Sequence, residues 1–235
     1  MKPHKIASRE DWMVARKALL LREKEHTRLK DEITEARQAL PWVRVDKDYR
    51  FETASGQKSL SGLFGGRSQL ITYHFMFGPD WRNPCKSCSF WADTYAGLTP
   101  HLGAQDIAFA VVSSAPLERV LPFKERMGWD FEWVSSHNTT FNFDYDVGFG
   151  PGRPEDMHNT YNFGTMQDPP LDEMHGTSVF AKDADGVVYH TYSMYGRGLD
   201  ATNAAYAYMD LTPNGRRSEP AKGNPMAWLE YRDSY

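Results

Sequence analysis

The chain has 235 residues, 40% of them apolar, and a formal net charge of −4, which is enough apolar material for one sizeable core with appendages or for two small domains and excludes a disordered tail. Basic residues are interspersed with acidic ones, so no broad cationic surface is expected and nucleic acid is not expected as a partner. The opening MKPHKIASREDWMVARK lacks the apolar run of a signal peptide, and no stretch of about 18 apolar residues can span a bilayer, so a cytoplasmic protein with no membrane partner is expected.

Ser8, followed by Glu10 and Asp11, reads as a helix N-terminus, and the next thirty or so residues, rich in Ala, Leu, Arg, Lys and Glu, predict a long amphipathic helix ending at Pro41. Its apolar positions Trp12, Ala15, Leu19, Leu29, Ile33, Ala36 and Leu40 form a stripe that must pack on something, either its own domain or a second copy in a homodimer. From Trp42, WVRVDKDYRFET alternates as a half-buried strand does, and SGQKSLSGLFGG carries the Gly and Ser of turns. QLITYHFMF is a nearly unbroken β-branched and aromatic run, expected to be the central strand, buried on both faces. GPDWRNPCKSC then forms a loop and helix start, continued by SFWADTYAGLTPHL.

IAFAVVSS predicts a second buried strand, and PLERVLPFKERMG a helix with Pro116 at its start and Gly128 at its end. Between Trp129 and Asp172 a short strand is expected at FEWVSS, and the rest, about 136–174, reads as a loop-rich insertion. Residues 177–182 and 187–194, joined by DADG, predict a hairpin, and a final helix is expected over about 199–209. The expected organisation is an N-terminal helix at 1–41, a domain at 42–212 and a C-terminal tail at 213–235.

The chain has two cysteines, Cys85 and Cys88. A bridge between them closes only a tiny loop and stabilises little, so reactivity explains the pair better than stability. Cysteine attacks as thiolate, and a helix beginning near Cys85 offers unpaired backbone N–H groups to that form, with Arg82 and Lys86 adding positive charge. Cys85 is therefore expected to attack and Cys88, one turn on, to resolve. The same spacing makes half of a zinc site, but there is no second cysteine pair, and His74, His101, His175 and His190 show no finger spacing, so neither metal nor cofactor is expected. Inert buried thiols are the other alternative.

Trp81 is read as a shield or substrate platform beside the pair, or as simple packing. His74 reads as a core histidine, Asp93 as a solvated or capping carboxylate with proton transfer a minor alternative, and Arg197, between Gly196 and Gly198, as part of a surface turn.

The stretches LPWV, YHFMFGPDW, CSFWAD, KERMGW, WVSS, HTYS, YGRGLD and DLTP, spread over about 40–213, resemble a bacterial thioredoxin-like family catalogued as a domain of unknown function. More broadly, SGQKSLSGLFGG before the central strand and DADG after the active-site half are similar to the peroxiredoxin and thiol-reductase branch of the thioredoxin superfamily. The resemblance implies an α/β thioredoxin-like fold, a central mixed sheet flanked by helices, with Cys85 and Cys88 at the active-site position. Two departures stand out. Where thioredoxins place a cis proline, HGTSVF offers Thr177 or Ser178. The peroxiredoxin register P-x-x-x-[ST]-x-x-C is not met from Pro79, since Asn83 and Lys86 stand where the hydroxyl residue and cysteine belong.

The function expected is a thiol-disulfide oxidoreductase acting on a disulfide-containing protein or a small thiol. The alternatives are a thiol peroxidase acting on a peroxide, and a non-enzymatic binding protein using the aromatic segment 129–164. Copper delivery through the two thiolates and a histidine is a remoter one.

Overall fold

Ser8 closes the first turn of a 30-residue helix, α1 (Arg9–Gln38), its hydroxyl accepting the Asp11 N–H at 3.0 Å. Glu10 and Asp11 occupy the first turn and Arg37 the last, the arrangement the helix dipole favours. The computed structural model describes residues 4–216 and 226–235, and the chain divides into two units, 1–41 and 42–235. Of the expected C-terminal tail, residues 217–225 lie outside the described residues.

In the second unit the alternating segment after Trp42 does not form one strand. Val43–Arg44 (β1) and Arg50–Thr53 (β2) are separate, and GQKS, read as part of a turn, is strand β3 (Gly56–Ser59). The β2–β3 hairpin pairs Arg50 with Ser59 and Thr53 with Gly56, so pairing overrides the weak strand propensity of those residues.

QLITYH is β4 (Gln69–His74), fourth of eight strands in the main sheet, as its apolar run predicts. The segment after it is not one helix. It breaks into α2 (Lys86–Ala92), a single 3-10 turn and α3 (Leu98–Ala104), because Gly97 adopts φ +75°, a conformation that ends a helix. β5 (Ile107–Ser113), α4 (Leu117–Arg126) and β6 (Glu132–Ser135) follow as expected.

The stretch read as a loop-rich insertion contains a helical turn, α5 (Phe141–Asp144), and a two-stranded ribbon of β7 (Thr160–Tyr161) and β8 (Gly164–Thr165). The predicted hairpin is β9 (Gly176–Lys182) and β10 (Val188–Tyr195), its turn held by Asp183 Oδ1 accepting the N–H groups of Asp185 and Val187. A 3-10 segment, Gly196–Thr202, and helix α6 (Ala204–Asp210), capped by Asn203, close the described core.

The sheet order is β1-β10-β9-β4-β5-β6-β2-β3, with β4, β5 and β6 parallel and β9 antiparallel to β4. This mixed, helix-flanked sheet is a thioredoxin-like fold. Both faces of its centre are covered. Tyr73, Val111 and Trp133 belong to one buried cluster and Leu70, Ala110, Val112 and Val134 to the other, the period-two alternation that makes these strands read as continuous apolar runs.

The histidine of β4, at its C-terminal end, is kept neutral. His74 is 1% exposed, its Nε2 shares a hydrogen bond of 2.9 Å with Ser178 Oγ, and burial, with the nearby His190, lowers its pKa from 6.5 to about 3. Between those two values the unfolded chain binds the proton and the native chain does not. The stability contributed by the neutral ring is therefore present above pH 6.5 and lost as pH falls toward 3, at up to about 1.4 kcal/mol per pH unit. Urea unfolding at pH 7 and pH 5 is expected to show this loss, and His74→Gln to flatten the slope.

Candidate active site

The ten residues after β4 bring the chain from the sheet centre to a dithiol. Phe75, Met76 and Phe77 remain buried as the strand leaves the ladder, with Phe75 N–H still bonded to Val112 C=O at 2.8 Å. Gly78 is required next, because a Cβ there would meet the Trp81 ring at 2.8 Å. The loop that follows is clamped from α4: Arg119 donates to the carbonyl oxygens of Pro79 and Trp81 while its guanidinium lies 4.9 Å from the Phe77 ring centroid.

Both cysteines are tied to one residue of that strand extension. Cys85 N–H donates to Met76 C=O at 3.1 Å, and Met76 N–H points to Cys88 Sγ at 3.4 Å. Cys85 is the N-cap of α2, its sulfur accepting the Cys88 N–H at 3.4 Å in the place a serine or aspartate oxygen usually takes. Ser89 fixes the Cys85 carbonyl with its N–H and its hydroxyl, each at 3.0 Å. Both thiols are free, Cys85 half-buried and Cys88 buried.

Their environments push the two thiols apart. Hydrogen bonding from the Cys88 side chain, then from the Cys88 and Ser87 N–H groups, outweighs burial and lowers Cys85 from 9.0 to about 7. Burial dominates at Cys88 and raises it. The Tyr73 hydroxyl, buried without a well-formed hydrogen bond, lies close enough to Cys88 to favour its thiolate, as does the Met76 N–H. The arrangement supplies one half-buried, ionisable sulfur and one fully shielded sulfur a turn away whose thiol form is favoured.

The structure brings some of the expected residues together around this pair. Trp81, like Cys85, packs at the edge of the buried cluster that contains Cys88. Lys86 directs its ammonium to the Glu230 carboxylate and lies 5.9 Å from the Tyr231 ring centroid, so its charge is met by a carboxylate. Arg82 is exposed. Thr177 is 7% exposed near the start of β9, in register with Tyr73. Asp93 accepts from Trp129 Nε1 at 2.9 Å and pairs with Arg232 at 3.2 Å, and Arg197 is an exposed turn residue beside Asp200. Among the described residues, no group of three or more His, Cys, Asp or Glu is placed to hold a metal ion.

Sequence reasoning missed the C-terminal segment. Tyr231, 9% exposed, donates its hydroxyl to Pro84 C=O at 2.6 Å, next to Cys85, while Arg126 pairs with Asp233 at 2.7 Å. Among the residues described there, Leu229 is also buried, so this end of the chain packs beside the dithiol. The apolar and aromatic run MAWLEY over 226–231, of which Trp228 and Leu229 stand out in the sequence, was the available signal.

No helix among the described residues is long and apolar enough to cross a membrane. No curated protein matches the chain. Solved structures similar to it include peroxidoxin BcpB from Mycobacterium tuberculosis, at 16% identity, 70% of this chain and 93% of that one, with a TM-score of 0.46. Peroxiredoxin Q from Xanthomonas campestris is similar at 14% identity over 72% of this chain and 95% of that one, TM-score 0.46. The mitochondrial 2-Cys peroxiredoxin from Plasmodium falciparum is similar at 11% identity over 72% and 95%, TM-score 0.40. A family model matches residues 1–235, the whole chain, and the protein belongs to that family, "Bacterial protein of unknown function (DUF899)".

Proposed function

We propose that the protein is a thiol-disulfide oxidoreductase in which Cys85 attacks and Cys88 resolves. The observation that carries the reading is the position of Cys85 as N-cap of α2, its sulfur accepting a backbone N–H and its pKa lowered to about 7, beside a buried thiol whose pKa is raised.

The Cys85 thiolate attacks one sulfur of a substrate disulfide, forming a mixed disulfide and releasing the other sulfur as a thiolate. Cys88 then loses its proton, with the Tyr73 hydroxyl and Met76 N–H favouring the charge, and its sulfur attacks Cys85. The second substrate sulfur leaves as a thiolate. The substrate has gained two electrons, the protein holds a Cys85–Cys88 disulfide, and an external dithiol returns the pair to the reduced form. A disulfide-bearing protein or a small disulfide fits as substrate.

Cys88→Ser removes the second step alone and is expected to trap Cys85 in a mixed disulfide with an aromatic disulfide reagent, seen as an adduct by mass spectrometry. The native protein is expected to release both halves of the reagent and lose the mass of two hydrogen atoms. An unmodified Cys85 in the variant contradicts the reading. The same thiolate also suits reaction with a peroxide, giving a sulfenic acid that Cys88 condenses with, and this is the second reading. Rapid peroxide consumption with no disulfide exchange selects it.

A further inference from the structure

The carboxyl ends of the three parallel strands, where ligands of open α/β sheets commonly sit, surround a cavity of about 360 Å³ that the thiol chemistry does not use. Gly78 and Trp81 follow β4, Ser114 follows β5, and Ser136 and His137 follow β6. Asn142 and Phe143 of α5 and the pair Asp172 and Glu173 close the other side.

At its floor is a buried carboxyl. Glu173 is 4% exposed, accepts a hydrogen bond from Ser114 Oγ, and is held by the Phe77 N–H and the Asn142 side chain. Burial, with the nearby Asp172 charge, raises its pKa from 4.5 to about 7. Asp80 and Asp172 stand exposed at the rim, and among the described residues that line the cavity there is no lysine or arginine. Buried carboxylates are normally paired, and this one has three hydrogen-bond donors but no counter-charge. The half-buried indole of Trp81 and the ring of Phe143 also line the cavity, the latter with the Arg153 guanidinium 6.0 Å from its centroid, and aromatic rings attract organic cations.

We propose that this cavity is a binding site for a small organic cation, an ammonium on a compact apolar body, with Glu173 as its counter-charge and Trp81 and Phe143 against its body. The site excludes anions by the charge of its three carboxyl groups and holds neutral analogues only by their apolar contact. Its wall reaches the dithiol loop at Trp81, four residues before Cys85, but binding is a property of the cavity and does not depend on the thiols.

Three probes with one body isolate the charge: phenethylammonium, 2-phenylethanol and phenylacetate, titrated calorimetrically into the full chain at pH 7.5. The cation is expected to bind about tenfold or more tighter than the alcohol, the size expected of a charge-assisted contact in a buried site, and phenylacetate not to bind. Glu173→Gln is expected to bring the cation down to the alcohol's affinity and leave the alcohol unchanged, while Asp172→Asn at the exposed rim changes the cation's affinity by less than about threefold. Equal binding of cation and alcohol, preferred binding of phenylacetate, no heat from any probe at millimolar concentration, or a cation affinity indifferent to Glu173→Gln overturns the proposal. Should the Glu173 variant fail to fold, the probe series on the native chain decides by itself.

Discussion

Replacing Phe141 with alanine is expected to destabilise the protein by about 3–5 kcal/mol, the range for removing a buried ring from a packed core. Phe141 is fully buried, with ring centroids of Tyr145, Phe51, Tyr49 and His74 at 4.7, 4.9, 5.0 and 5.5 Å. Tyr145 is a local partner at the end of α5, while Phe51, Tyr49 and His74 come from β2, the approach to it and β4, so the ring joins the hairpin edge of the sheet to its centre. The cavity left cannot collapse easily, because aromatic neighbours on all sides are themselves held, Tyr49 by Asp144 at 2.7 Å and His74 by Ser178. Urea unfolding measures the loss, which is a large part of the roughly 5–15 kcal/mol that stabilises a typical domain. A midpoint unchanged from the parent shows that α5 is not part of the core.

That residue also marks where the sequence is hard to read. Central strands β4 and β5 announce themselves because both faces are buried and every position is apolar, and the DADG turn because Asp183 and a positive-φ Gly186 are the residues such a turn needs. Phe141 lies in a segment rich in Asn, Gly and Pro with no period. Its burial arises from contacts with strands some 70 to 90 positions earlier, which no local pattern encodes. β3 is likewise a product of pairing with β2 and not of propensity. At the dithiol, the spacing of Cys85 and Cys88 and the helix start between them were legible. The charges expected to activate Cys85 were legible as residues but not as partners: Lys86 turns to Glu230, and the N–H groups and Cys88 side chain of the first helical turn lower the thiol instead. Tyr73 and Tyr231 were hidden, one inside an apolar run, the other 146 positions beyond Cys85.

Cys85 is expected to be the reactive sulfur, with a rate profile set by these neighbours. A thiol lowered from 9.0 to about 7 is half ionised at neutral pH, against about one part in a hundred for an unperturbed one. Its intrinsic nucleophilicity falls as its pKa falls, by about eightfold over two units, so the net gain at pH 7 is about fivefold to tenfold. Because the Cys88 side chain is the largest cause of the lowering, Cys88→Ala is expected to move the Cys85 midpoint upward, toward 9.0. Cys88, buried and raised, stays unlabelled in the native chain. The decisive measurement is therefore the pH dependence of iodoacetamide labelling of the reduced native protein, read site by site by mass spectrometry. The account predicts labelling at Cys85 alone with a midpoint near pH 7. Labelling at Cys88 first, or a Cys85 midpoint at or above 9, contradicts it.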